Sequence, residues 1–223
     1  MDKKPKIVIF IPGFIVDIET LELIPKILAE VQPEFSKAGW EIVISNYYRN
    51  KPTDLPLNIY ARRVAAEIET IDPDAIILFS MAGTLIANKI PNIPVVIIEA
   101  PWYGVLRWQF RIINFLAKLK GLKGFPLGNA SVQGMIRTSH YMKERDFAPS
   151  WANHALQING SLGTFLLARI GNTFGKIHGI GKYVEFSNIN HLELVRNPQV
   201  IQLVLKFLDS DIMKVDVSSS LED

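Results

Sequence analysis

Unbroken apolar runs alternate along this chain with stretches whose apolar residues recur every three to four positions. Lys6–Ile11, KIVIFI, is a continuous apolar run of the kind buried at the centre of a parallel sheet, and it stops at Pro12-Gly13-Phe14. Thr20–Ala38 carries Leu21, Ile24, Leu28 and Val31 at helical spacing, with Pro25 toward its start, Pro33 near its end and Gly39 closing it. Trp40–Tyr47 predicts a second strand, Tyr47–Pro52 a loop, and Ile59–Thr70 an amphipathic helix with Ile59, Val64, Ala65 and Ile68 toward a sheet. Further strands are predicted at Ala75–Phe79, Pro94–Glu99, His154–Ile158 and Lys182–Phe186. A last helix, around Pro198–Leu208, buries Val200, Ile201, Val204, Phe207 and Leu208. Strands alternating with helices predict the α/β class: a mostly parallel, doubly wound sheet with flanking helices.

One stretch breaks the alternation. Between Pro101 and Ser150 no strand is evident, and Val105–Lys120 is strongly helical. Arg107, Arg111, Asn114 and Lys118 fall at i, i+4, i+7 and i+11, a single polar stripe on a helix that is otherwise apolar and contains Trp108, Phe110 and Phe115. The tail from Asp209 is polar and expected to be mobile.

Composition narrows the functional classes. The chain has 223 residues, enough for one domain with a full core. Its 24 Lys and Arg nearly balance 22 Asp and Glu, which argues against a nucleic-acid partner. Without cysteine there is no disulfide and no thiolate metal site, and the redox compartment is left open. The 48% hydrophobic content suggests an apolar pocket, a lipid-facing surface or simply a large core. The first residues lack the apolar core of a signal peptide and no run approaches the roughly 20 residues of a membrane span, so a soluble, cytoplasmic protein is expected. His/Asp/Glu clusters with metal-ligand spacing and glycine-rich phosphate loops are absent from the sequence, so neither a metal nor an organic cofactor is expected.

The candidate chemistry centres on Asp74–Ala87, DAIILFSMAGTLIA. A buried strand runs into Ser80, and small and apolar residues suited to a helix follow. Such a turn lifts one hydroxyl above the sheet edge, at a helix N-terminus whose partial positive charge favours an oxyanion. A serine hydroxyl needs a base within hydrogen-bond reach. Of four histidines, His140, His154 and His178 read as surface or structural residues, whereas His191 follows the last strand and precedes the last helix.

Leu78-Phe79-Ser80-Met81-Ala82-Gly83 resembles the nucleophile elbow of the α/β-hydrolases, with Leu78 and Ala82 in place of the two glycines of G-x-S-x-G. Pro12-Gly13-Phe14 is similar to the family's His-Gly-x after the first strand, and His191 through Asn197-Pro198 resembles its catalytic-histidine segment. The resemblance implies Ser80 as nucleophile, His191 as base, and the N–H groups of Phe14 and Met81 as the oxyanion hole. The usual acid position, after His154–Ile158, holds Asn159, Gly160, Ser161, Leu162, Gly163 and Thr164, with no carboxylate. Glu99, after the preceding strand, is the candidate acid; the alternative is a Ser–His dyad backed by Asn159 or Ser161.

The resemblance also places an insertion at 101–150, read as a cap or lid on a single domain spanning 1–208, with 209–223 a polar tail. Its apolar area is expected to line an acyl pocket, and its cationic aromatic stripe through 105–123 to contact a membrane surface transiently. The implied activity is a serine esterase or lipase acting on an apolar, lipid-like ester. The alternatives are a thioesterase or amidase, or a protein on the same fold that binds a lipophilic molecule with its chemistry weakened or lost.

Overall fold

The computed structural model describes residues 5–15, 17–86, 93–119, 126–144, 149–160, 176–189 and 191–210. Six strands, β1 (Lys6–Ile11), β2 (Trp40–Ile44), β3 (Ala75–Phe79), β4 (Val95–Ile98), β5 (Ala155–Gly160) and β6 (Lys182–Phe186), form one sheet in the order β2-β1-β3-β4-β5-β6. Every neighbouring pair is parallel. The chain starts at β1, steps outward to β2, then crosses back to β3, so its helices are distributed over both faces. Successive strand residues point to opposite faces, and the two cores follow that alternation. Val8, Phe10, Ile77 and Phe79 pack under α1 (Ile18–Lys37) and α7 (Pro198–Asp209). Ile9, Ile11, Ile76 and Leu78 pack under α2 (Leu57–Ile71) and α3 (Ala82–Leu85).

The two helices on the α1/α7 face start on side-chain caps. Asp17 accepts from Thr20 N at 2.9 Å ahead of α1, and Asn197 accepts from Gln199 N at 2.9 Å ahead of Pro198, the first residue of α7. Pro25 and Pro33 both lie inside α1.

β2 is shorter than the expected Trp40–Tyr47. The chain turns at Tyr47–Asn50, where Arg49 and Asn50 take positive φ, and Tyr47 becomes a core residue. β5 runs to Gly160 rather than stopping at Ile158, and His154 sits in a 3-10 turn before it. The helix after Ser80 is a single turn, with Ile86 already extended; Ala87 lies outside the described residues, as do Ser161–Thr164 and the tail from 211.

The 101–150 stretch contains α4 (Arg107–Leu119), α5 (Ala130–Met135) and α6 (His140–Lys143). Trp102, Val105, Phe110, Val132, Met135 and Ile136 extend the core of the α2/α3 face. Polar ties fix it there: Asn129 Nδ2 donates to Thr53 O at 2.7 Å, Ser131 Oγ to Leu55 O at 2.5 Å and Tyr141 Oη to Thr84 O at 2.7 Å.

Candidate active site

Ser80 is the first residue past β3, with φ of +55°. This left-handed conformation costs a non-glycine residue about 1–2 kcal/mol. It is imposed from both sides: Ser80 N donates to Ile98 O at 3.0 Å, and Ser80 O accepts from Gly83 N at 3.1 Å. The turn therefore continues the β3–β4 ladder and opens α3 within four residues. Gly83 leaves no room for a side chain, since a Cβ there would lie 2.3 Å from Ala100 Cβ. Gly83 is one residue beyond the position that Ala82 occupies in the motif.

Past β1 the chain passes directly beneath Ser80. A Cβ on Gly13 would lie 2.7 Å from Ser80 Cβ and 3.1 Å from its Oγ. Two side chains hold this loop. Tyr47 Oη, fully buried, donates to Gly13 O at 2.9 Å and faces Pro12 O at 3.1 Å. Thr53 Oγ1 accepts from Ile15 N at 3.1 Å. Burial, followed by the neighbouring Tyr60, Tyr48 and Glu67, pushes the Tyr47 phenol well above its ordinary pKa, so it keeps the proton it donates. In a planar trans peptide, C=O and N–H point in opposite directions. Tying Gly13 O to Tyr47 thus aims Phe14 N–H away from Tyr47. Met81 N–H, beside Ser80, belongs to the N-cap residue of α3, ahead of the first helical turn, so it has no intrahelical acceptor. Gly13→Ala is expected to push the loop off Ser80 and lower kcat about 10²–10³-fold, the usual loss of one oxyanion donor. Steady-state kinetics alongside a melting curve measure this; an unchanged kcat in a folded variant rejects the role of the loop.

Glu99 is the first residue past β4, also in the left-handed region with φ of +44°. Its N–H continues the ladder to Ile158 O at 2.8 Å, and its side chain is buried. His191 Nδ1 lies 2.8 Å from Glu99 Oε2, across 92 residues of sequence. The imidazole stacks on Phe79, the residue before Ser80, with ring centroids 4.5 Å apart. Its loop is anchored below by Leu194, fully buried, and Val195, and ends in the Asn197 cap of α7. A Cβ on Gly160 would come 2.4 Å from Ile189 O, so glycine at the end of β5 lets this loop pass closely.

Ser80 and His191 line one cavity of about 140 Å³. Its walls are Phe14 and Gly13 from the β1 loop, Leu23, Ile24, Ile27 and Leu28 of α1, and Leu192 and Val195 beyond the histidine. Among the described residues, Thr20 is the only other polar one lining it. Among the described residues, none from 101–150 contributes, because that segment packs on the opposite face of the sheet. Segment 101–150 was expected to line an acyl pocket; the described wall of this cavity is α1.

The fold brings Ser80, His191, Glu99, Phe14 and Met81 together at the C-terminal edge of β1, β3 and β4. Asn159 is buried at the end of β5, and Ser161 lies outside the described residues. The described residues include no group of three or more His, Cys, Asp or Glu able to hold a metal ion. Reading the sequence missed Tyr47, whose only signal was its place at the end of the predicted second strand, and Gly160, hidden in Asn-Gly-Ser.

No family model matches the chain, and no curated protein sequence does. Solved structures do. Est1E from Butyrivibrio proteoclasticus superposes with a TM-score of 0.52 at 16% identity, over 93% of this chain and 90% of its own. Polyneuridine aldehyde esterase gives 0.51 at 12%, over 91% and 98%. The Paleococcus ferrophilus monoacylglycerol lipase gives 0.50 at 11%, over 92% and 96%. The chain has the α/β-hydrolase fold.

Proposed function

We propose that this protein is a serine hydrolase that cleaves an apolar carboxylic ester through a covalent acyl intermediate. One observation carries the reading: a histidine bonded at Nδ1 to a buried carboxylate shares a cavity with a serine held in a strained elbow. With Nδ1–H donating to Glu99, the lone pair of His191 resides on Nε2. Nε2 takes the Ser80 proton as Oγ attacks the ester carbonyl. The oxyanion receives hydrogen bonds from Phe14 and Met81 N–H. Collapse of the intermediate expels the alkoxide, which takes the proton from His191, and leaves Ser80 acylated. Water, deprotonated by His191, then releases the carboxylic acid and regenerates Ser80. Glu99 stabilises the imidazolium without accepting its proton. The apolar wall of α1 suits the acyl chain.

Fluorophosphonate labelling and a series of p-nitrophenyl esters test this. One adduct on Ser80 is expected, absent in Ser80→Ala, with medium or long acyl chains turned over faster than acetate. A folded protein that resists the probe and turns over no ester, thioester or amide, while retaining a lipophilic molecule in native mass spectrometry, rejects the enzyme in favour of a binding protein.

A further inference from the structure

Six large apolar side chains are exposed among the described residues: Ile18, Leu23, Trp108, Phe115, Leu119 and Leu192. Leu23 and Leu192 line the cavity beside Ser80. Trp108, Phe115 and Leu119 belong instead to α4, and are 40%, 61% and 68% exposed. At 3.6 residues per turn, these three and the half-buried Ile112 fall within a sector of about 60°. Arg107, Arg111 and Lys118, all exposed, fall within about 40° on the adjoining flank. The other side of α4 is held in the protein by Phe110 and Gln109, both buried. The helix therefore presents to solvent an apolar stripe beside a cationic one.

The surrounding sequence is segregated in the same sense. From Ala100 to Lys143 the chain has seven of its 24 Lys and Arg and none of its 22 Asp and Glu. Since the whole chain is only +2, the rest is net acidic. Arg107, Arg111 and Lys118 make no ion pair among the described residues.

We propose that α4 docks this protein onto an anionic lipid surface, lying in the interface plane with Trp108, Phe115 and Leu119 below the headgroups and Arg107, Arg111 and Lys118 among the phosphates. Buried apolar area and electrostatic attraction to acidic lipids add in such a helix. A nucleic acid would meet the cations but leave the apolar stripe in water. A second copy pairing through the stripe would bring two cationic segments together without an acidic group from either to offset them. No described helix is long and apolar enough to cross a membrane, so the association would be with the surface. The inference concerns partitioning alone and does not depend on ester cleavage.

The test is co-sedimentation of the full chain with vesicles of phosphatidylcholine alone and of equimolar phosphatidylcholine and phosphatidylglycerol. Binding to the acidic vesicles is expected, with a blue shift of tryptophan emission. That shift reports Trp108, because Trp40, Trp102 and Trp151 are buried. Binding should weaken as salt rises from about 0.1 to about 1 M and the screening length falls from about 10 to about 3 Å. Arg107→Gln with Arg111→Gln should lower partitioning about 25-fold, at about fivefold per cation. Phe115→Ser with Leu119→Ser should lower it at least about 100-fold. Circular dichroism keeps these exposed-site variants interpretable. Failure to bind acidic vesicles, equal binding to neutral ones, salt-dependent capture of duplex DNA or RNA without vesicle binding, or a dimer in solution that Phe115→Ser with Leu119→Ser dissociates would each overturn the proposal.

Discussion

Ser80→Ala is expected to reduce kcat by about 10⁶ and to eliminate the fluorophosphonate adduct, and His191→Ala to cost nearly as much. Both alone should cost about what the pair costs together, because a nucleophile without its base, or a base without its nucleophile, performs none of the step. A residual acceleration of about 10³–10⁴ over water would remain from the oxyanion donors and substrate binding. Turnover of a p-nitrophenyl ester by the two single variants and the double variant measures this. Losses that multiply would mean that Ser80 and His191 act separately. Stability should move the other way at one of these positions. Ser80 is held at φ of +55°, which glycine adopts freely, so Ser80→Gly should be inactive and melt no lower than the wild type.

Glu99→Gln is expected to lower kcat by about 10⁴ with little change in KM. The neutral amide can no longer stabilise the imidazolium, and it allows the ring to carry its proton on the wrong nitrogen. The geometry that makes this effect large is the 2.8 Å contact between two enclosed groups, with side-chain exposure of 15% for His191 and 5% for Glu99. Low dielectric strengthens the interaction and makes its loss costly. Comparison of kcat and KM, with circular dichroism to establish folding, separates the roles. A folded Glu99→Gln variant that retains most of its kcat would reduce Glu99 to a structural carboxylate ending β4.

Most of the sheet was legible because a parallel strand buried on both faces must be apolar throughout. KIVIFI and AIILF can be little else, and both strands have the expected bounds. The ends of elements were less legible where side chains do two jobs. Tyr47 belongs by composition to β2, but its hydroxyl is needed under the loop after β1, and the strand ends at Ile44. Ser80 and His191 were found as candidates from position relative to strands and helices. Glu99 was reached through the resemblance, as the family's alternative acid position when the end of β5 offers no carboxylate, since nothing local announces a contact spanning 92 residues. Its positive φ is visible only in three dimensions. That α1 walls the cavity beside Ser80 was not legible, because hydrophobic patterning reveals that a helix has an apolar face, but not which side of the sheet it covers. α1 uses Leu28 for both the core and the cavity, a division that no periodicity displays.

Proline at position 25 has a consequence for that wall. It has no amide hydrogen, so it cannot close the usual helical bond to the carbonyl of Leu21. The gap lies among Thr20, Leu23 and Ile24, which line the cavity. Ser80 and Glu99 sit at strand ends whose amides continue the ladder, while the neighbouring wall is a helix missing one such bond. The turn of α1 beside the cavity is therefore held by one backbone hydrogen bond fewer than an unbroken helix, while Ser80 and Glu99 are both tied into the ladder next to it.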